Sequence, residues 1–181
     1  ASQINFEFLK KKIDENKQEY NNTEIVLENI ALGAENKIIE FNQFNESSSS
    51  TIKDINKESK YYKRKFRLIN FLNNKKTFQK IKIKVSKLKD YIEKNNIKKI
   101  DFIKIDTEGY EFEILLGLEN KIKLVDIIMF EHHYDNMIKK GYTFENINKL
   151  LIKNNFNKIY KSRMPFRKTF EYIYKREESI N

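Results

Sequence analysis

The sequence predicts an α/β fold in which helices alternate with the strands of a parallel sheet. Two observations predict it. From Ile100 onward, apolar runs compact enough for buried strands alternate with segments of helical spacing, in the order strand, helix, strand, helix, strand. The single proline, Pro165, falls between elements, where it breaks neither a helix nor a ladder.

The elements follow in order. Ser2 suits the cap of a helix running to about Lys17, with Ile4, Phe8, Leu9 and Ile13 on one face. TEIVLENIAL, Thr23 to Leu32, reads as a buried strand ended by Gly33. KIIEFNQF, Lys37 to Phe44, is a second strand, and the polar tract Glu46 to Thr51 is a loop by composition. The charged segment Lys53 to Lys76 carries no clear period. From Phe78, Ile81, Ile83 and Val85 alternate with Lys80, Lys82 and Lys84, which makes a half-buried strand with a lysine face. A short helix capped by Ser86 then packs Leu88, Tyr91 and Ile92, and Asn95 and Asn96 break it.

IDFIKID, Ile100 to Asp106, reads as a buried strand, and TEGYEFEILLGL turns at once into a helix carrying Tyr110, Ile114, Leu115 and Leu118 at helical spacing. VDIIMFEHH, Val125 to His133, is the next buried strand. Thr143 caps a helix with Phe144, Ile147, Leu150 and Leu151 on its apolar face. Two closing strands, Phe156 to Tyr160 and Phe170 to Tyr174, are joined across Pro165.

Composition narrows the function. The 181 residues, 39% hydrophobic and 13% aromatic, suit one globular domain over residues 1–181. Without cysteine there is neither a disulfide framework nor a thiolate metal site. No apolar run approaches a membrane span, and no signal-peptide region opens the chain, so a soluble cytoplasmic protein is expected. The formal charge of +10 invites a nucleic-acid partner. Only five of the 36 basic residues are Arg, however, and the lysines are spread along the chain beside Asn and Ile. No nucleic-acid partner is therefore expected.

Open α/β sheets bind ligands at the carboxyl ends of their strands. Asp106, Thr107 and Glu108 stand at one such end, with Glu111 a turn later, and Glu131, His132 and His133 at another. Lys104 shares a face with Asp106. If the strands are neighbours, carboxylates and an imidazole meet in one crevice. Structural roles compete at each position. Asp106 or Thr107 also suits a helix cap, Glu108 the helix's positive end, and either histidine a hydrogen-bonded packing role.

KIDTEGYEFEILLG, Lys104 to Gly117, resembles the signature of the FkbM methyltransferases, and FEHH, Phe130 to His133, resembles the strand end that follows it. ENIALG (Glu28 to Gly33), the serines Ser47 to Ser50, GYTFENINKLL (Gly141 to Leu151) and FRKTFEYIY (Phe166 to Tyr174) extend the resemblance over nearly the whole chain. It implies a Rossmann-like, doubly wound mixed sheet with an antiparallel C-terminal hairpin. It also implies S-adenosylmethionine as cofactor and a hydroxyl of a sugar, glycan or small molecule as acceptor. On this resemblance the catalytic candidates are Asp106, Glu108, Glu131 and His132, with His132 or Asp106 as the base. Asn29, Ala31 and Gly33, with Asp106, would approach the cofactor.

One departure stands out. The four glycines, Gly33, Gly109, Gly117 and Gly141, form no glycine-rich loop, and the strand that ends in a ribose-binding acid is also missing. The chain therefore reads as a partial domain with an incomplete sheet, expected to be inactive alone, and either the isolated chain is expected to be poorly stable or its Thr23–Leu32 strand to sit apart from the Ile100–Asp106 strand. Two other readings compete: a basic RNA- or protein-interaction module without catalysis, and a metal-dependent hydrolase using Asp106, Glu108, Glu131 and His132. The sequence does not specify the acceptor or the oligomeric state.

Overall fold

The structure, a computed structural model, describes residues 2–20, 22–44, 52–53, 56–60, 62–63, 78–135, 138–165 and 168–177. The serine tract and most of the charged segment lie outside them. Helix α1 spans Gln3–Glu15, two residues short of the expected end, and Ser2 Oγ accepts from the Asn5 amide at 3.4 Å. None of its residues is buried, and Ile4 and Phe8 are each 59% exposed. Its predicted apolar face is open.

The Thr23–Leu32 run is corrected: only β1, Ala31–Leu32, is a strand, and residues 23–30 have no regular structure. An extended run joins a sheet only where a neighbour supplies its ladder. Here β3 pairs in parallel with Ala31 and Leu32 and no further. Strands β2 (Lys37–Phe44) and β3 (Phe78–Ser86) are antiparallel, with Ile83 and Val85 inward and Lys80, Lys82 and Lys84 exposed. The order of this sheet is β1-β3-β2.

Helix α2, Leu88–Lys94, is not capped by Ser86, which ends β3. Asn36 Oδ1 instead accepts from the Lys87 amide at 3.0 Å. Strand β4 is Ile100–Ile105, helix α3 Glu111–Leu116, strand β5 Val125–His133 and helix α4 Phe144–Lys153. Strands β6, Phe156–Arg163, and β7, Thr169–Arg176, form the closing hairpin and run longer than expected. Asn146 Oδ1 accepts from the Thr143 amide at 2.8 Å and fixes the start of α4.

The second sheet has the order β4-β5-β7-β6, with β4 and β5 parallel and the β5–β7 and β6–β7 pairs antiparallel. β5 is a central strand, and Val125, Ile128 and Phe130 are fully buried. β4 is an edge strand, so the expectation that it is buried fails: Phe102 is 50% exposed and only Ile105 is buried. β1 and β4 lie in different sheets, as the separation expected from the sequence requires.

The main core packs Ile114 and Leu115 of α3 and Ile147 and Leu151 of α4 against Ile128, Phe130, Tyr172 and Tyr174 of the sheet. Full burial of such side chains contributes about 1.5–3 kcal/mol each. The two sheets meet where the end of α3 touches the end of β1. A Cβ on Gly117 would lie 2.1 Å from the Gly33 carbonyl oxygen, so only glycine allows that approach.

Candidate active site

Parallel pairing sets Ile105 beside Phe130, which brings the ends of β4 and β5 together. Asp106 is exposed just beyond β4, while Glu131 is only 7% exposed on β5. Burial raises the Glu131 carboxyl above its ordinary range, and the Asp106 charge raises it further. His133 and Lys104 partly oppose that rise. The predicted meeting of Asp106 and Glu131 is therefore present, and it leaves an excess of negative charge.

The turn between β4 and α3 is held by Glu111, which is fully buried. Its Oε1 accepts from the Gly109 amide at 2.9 Å and from the Thr107 amide and hydroxyl at 3.3 Å each. Tyr142 donates its hydroxyl to Oε2. The helix does not begin at once, as the sequence suggested. Residues 107–110 form a turn in which Glu108 (φ 50°) and Gly109 (φ 96°) are left-handed. A side chain on Gly109 would meet Ile138 at 2.6 Å. Glu111 thus shapes the turn that presents Asp106 and Glu108.

The two histidines point in opposite directions, because adjacent strand residues face opposite sides of a sheet. His132 shares its face with Phe130, not with Glu131. Its ring is packed by Tyr134 at 4.8 Å and by Tyr142 and Phe144 at 5.9 Å. Burial first, then the Lys140 and His133 charges, lower its pKa to about 3. Enclosed in rings and held neutral, His132 has the surroundings of a packing residue.

His133 is the imidazole that meets the carboxylates. Its Nε2 lies 3.4 Å from Glu108 Oε2, while Thr169 Oγ1 stands 3.0 Å and Asp135 Oδ2 3.9 Å from Nδ1. Burial alone would lower its pKa, but the nearby carboxylates of Asp135, Glu108 and Glu111 outweigh it, and the net shift is upward. The sequence expectation named His132, and the structure sets His133 beside the carboxylates. The period-two alternation that places Glu131 and His133 on one face was the signal available.

Lys140 was missed altogether. It donates to the His133 carbonyl, and its Nζ lies 3.4 Å from His132 Nε2, with burial lowering its pKa. No pattern in the sequence marks it as buried.

The cofactor candidates divide. Asn29 and Ala31, with Ile30, Ile83, Lys84 and Ser86, line an open cavity of about 350 Å³. Asn29 Nδ2 donates to Gln3 at 2.7 Å, and its buried Oδ1 has no hydrogen-bond partner. A Cβ on Gly33 would meet Val85 at 2.7 Å and Tyr110 at 3.0 Å, so protein fills that side of it.

A parallel strand pair with acids at its carboxyl ends, closed by an antiparallel hairpin, defines the class as an incomplete Rossmann-like methyltransferase fold. Residues 2–160 match the model of the methyltransferase FkbM domain, and the chain belongs to that family. No curated protein and no solved structure gives a match. Among the described residues no group of three or more His, Asp or Glu is arranged to hold a metal ion, so the hydrolase reading gains no support there. Among them, too, no helix is long and apolar enough to cross a membrane.

Proposed function

We propose that this protein is an S-adenosylmethionine-dependent O-methyltransferase acting on a hydroxyl of a sugar, glycan or small molecule. The observation that carries the reading is the β4–β5 pairing, which brings exposed Asp106 and buried Glu131 to one edge, where burial and then the Asp106 charge raise the Glu131 carboxyl. Such a pair is strained by its own repulsion and relieved by a bound cation. A sulfonium is one, and when bound it supplies a methyl group open to in-line displacement.

The chain's own residues fit that role in three ways. Asp106 and Glu131 favour the charged sulfonium over the neutral thioether product. The unpartnered Oδ1 of Asn29 is an acceptor for an adenosine donor, in a cavity large enough for a base. The turn held by Glu111 sets Glu108 beside the reacting edge. Displacement at a sulfonium neutralises charge, so positioning of the hydroxyl contributes more than stabilisation of an oxyanion.

Calorimetric titration of S-adenosylmethionine and S-adenosylhomocysteine into the complete gene product tests the reading. Binding of both, with the charged ligand losing affinity in Asp106→Asn and Glu131→Gln, is expected. A folded protein that binds neither would refute it.

A further inference from the structure

The methyltransferase reading leaves open where the hydroxyl proton goes, and the structure holds a chain of groups suited to receive it. Thr169 Oγ1 at 3.0 Å and Asp135 Oδ2 at 3.9 Å stand on the Nδ1 side of His133, and Nε2 of the same ring lies 3.4 Å from Glu108 Oε2. His133 is 6% exposed, and among the described residues its buried Nε2 has no hydrogen-bond partner. Glu108, by contrast, keeps 24% of its side chain exposed. With its proton on Nδ1, toward Thr169 and Asp135, the ring would keep a free lone pair on Nε2, 3.4 Å from Glu108. We propose that Glu108 takes the proton of the acceptor hydroxyl and that His133, a positioning residue acting through Glu108, receives that proton at Nε2.

The step balances. The hydroxyl oxygen forms its bond to the methyl carbon while the sulfur–methyl bond breaks and its electron pair stays on sulfur. The proton passes from oxygen to the Glu108 carboxylate and on to the imidazole. An imidazole is ordinarily about two pK units more basic than a carboxylate, so the proton rests on His133.

The surrounding charges work in the same direction. Glu108 and Glu111 come from the β4–α3 segment and Asp135 from beyond β5, and all three raise the basicity of the ring. Glu131 lies two residues before it on β5. Lys140 bonds its carbonyl from the 138–142 segment, and His132 beside it is held neutral. His133 must start neutral to receive a proton, and its pKa lies above the usual 6.5. The rate should therefore rise with pH through that value.

The chain has only two histidines, so the test is clean. Imidazole resonances of the complete gene product are titrated by NMR, with His132→Asn and His133→Asn giving the assignment. His133 should titrate above 6.5, and Glu108→Gln should lower its pKa. In parallel, release of S-adenosylhomocysteine from S-adenosylmethionine is followed with a set of methyl glycosides as probes. Wild-type release should rise with pH through the value found by NMR. His133→Asn should fall about a hundredfold at pH 8, lose that pH dependence and still bind S-adenosylmethionine. Glu108→Gln should fall by as much.

The proposal is overturned if His133→Asn keeps the wild-type rate and pH profile, or if Glu108→Gln leaves the His133 pKa unchanged. It rests on the methyltransferase reading, but the two fail differently. A protein that binds no S-adenosylmethionine sinks that reading, whereas the NMR titration decides the Glu108–His133 coupling without any turnover.

Discussion

Replacing Glu111 with Ala removes the group that shapes the site without touching any candidate reacting residue. Four donors lose their acceptor: the Gly109 amide at 2.9 Å, the Thr107 amide and hydroxyl at 3.3 Å, and the Tyr142 hydroxyl. Hydrogen bonds to a charged group contribute about 1.5–3 kcal/mol each when short, and the two long ones contribute less. Part of the loss is recovered, because Thr107 and Tyr142 are only half-buried and water can reach them. The expected net cost is about 3–4 kcal/mol, within the range for breaking a buried charged network. For a chain of this size that lowers Tm by about 6–16 °C.

Glu111→Gln keeps an acceptor for Gly109 and Thr107 and should cost about 1–2 kcal/mol. Urea denaturation of the wild type and both variants measures the difference. If Ala costs under about 1 kcal/mol, or if Ala and Gln cost the same, Glu111 does not organise the turn and the argument for the geometry of Glu108 falls with it.

Four further outcomes are expected. Gly117→Ala drives a Cβ into the Gly33 carbonyl, whose residue is fixed by its own amide bonding to Ser86 O at 3.0 Å. It should cost about 2–4 kcal/mol in the same assay, since a backbone clash cannot be relieved by a rotamer change. Glu131→Gln removes a carboxyl whose pKa burial and Asp106 raise. It should stabilise the unliganded protein by about 0.5–1 kcal/mol at neutral pH while weakening S-adenosylmethionine about fivefold relative to S-adenosylhomocysteine by calorimetry. His132 has a folded pKa of about 3 against about 6.5 unfolded, so the unfolded chain binds the extra proton between those values. Stability should fall as pH drops through that window, and urea denaturation of His132→Phe across it should show the dependence removed. His133 has the opposite sign: its raised pKa stabilises the fold below about 6.5, and that contribution is lost as pH rises through the folded value.

What was legible in the sequence followed from how local each cause is. β2, β3, β5 and α4 came out because their patterns are set by one face against one core: Ile83 and Val85 alternate with lysines, and Ile147 and Leu151 share a helical stripe. The Thr23–Leu32 and Ile100–Asp106 runs misled because apolar sequence measures a wish to be buried, while a ladder depends on a neighbour. β1 has β3 for two residues only, and β4 has β5 on one side. The meeting of the β4 and β5 ends was legible, since strand-end carboxylates are visible in sequence. The roles at that edge were not. Glu111 looked like ordinary acid in a first helical turn and is instead the buried acceptor of that turn, and Lys140 reaches the site through a loop whose path no periodicity encodes.

The central claim is that the β4–β5 edge binds a sulfonium cofactor. The most direct measurement is calorimetric titration of S-adenosylmethionine into the complete gene product at pH 8, beside the Asp106→Asn/Glu131→Gln double variant. The account expects wild-type binding that weakens by about tenfold in the double variant, with S-adenosylhomocysteine far less affected. Equal loss for both ligands would place the carboxylates elsewhere than beside the sulfonium, and no binding by the folded wild type would contradict the account outright.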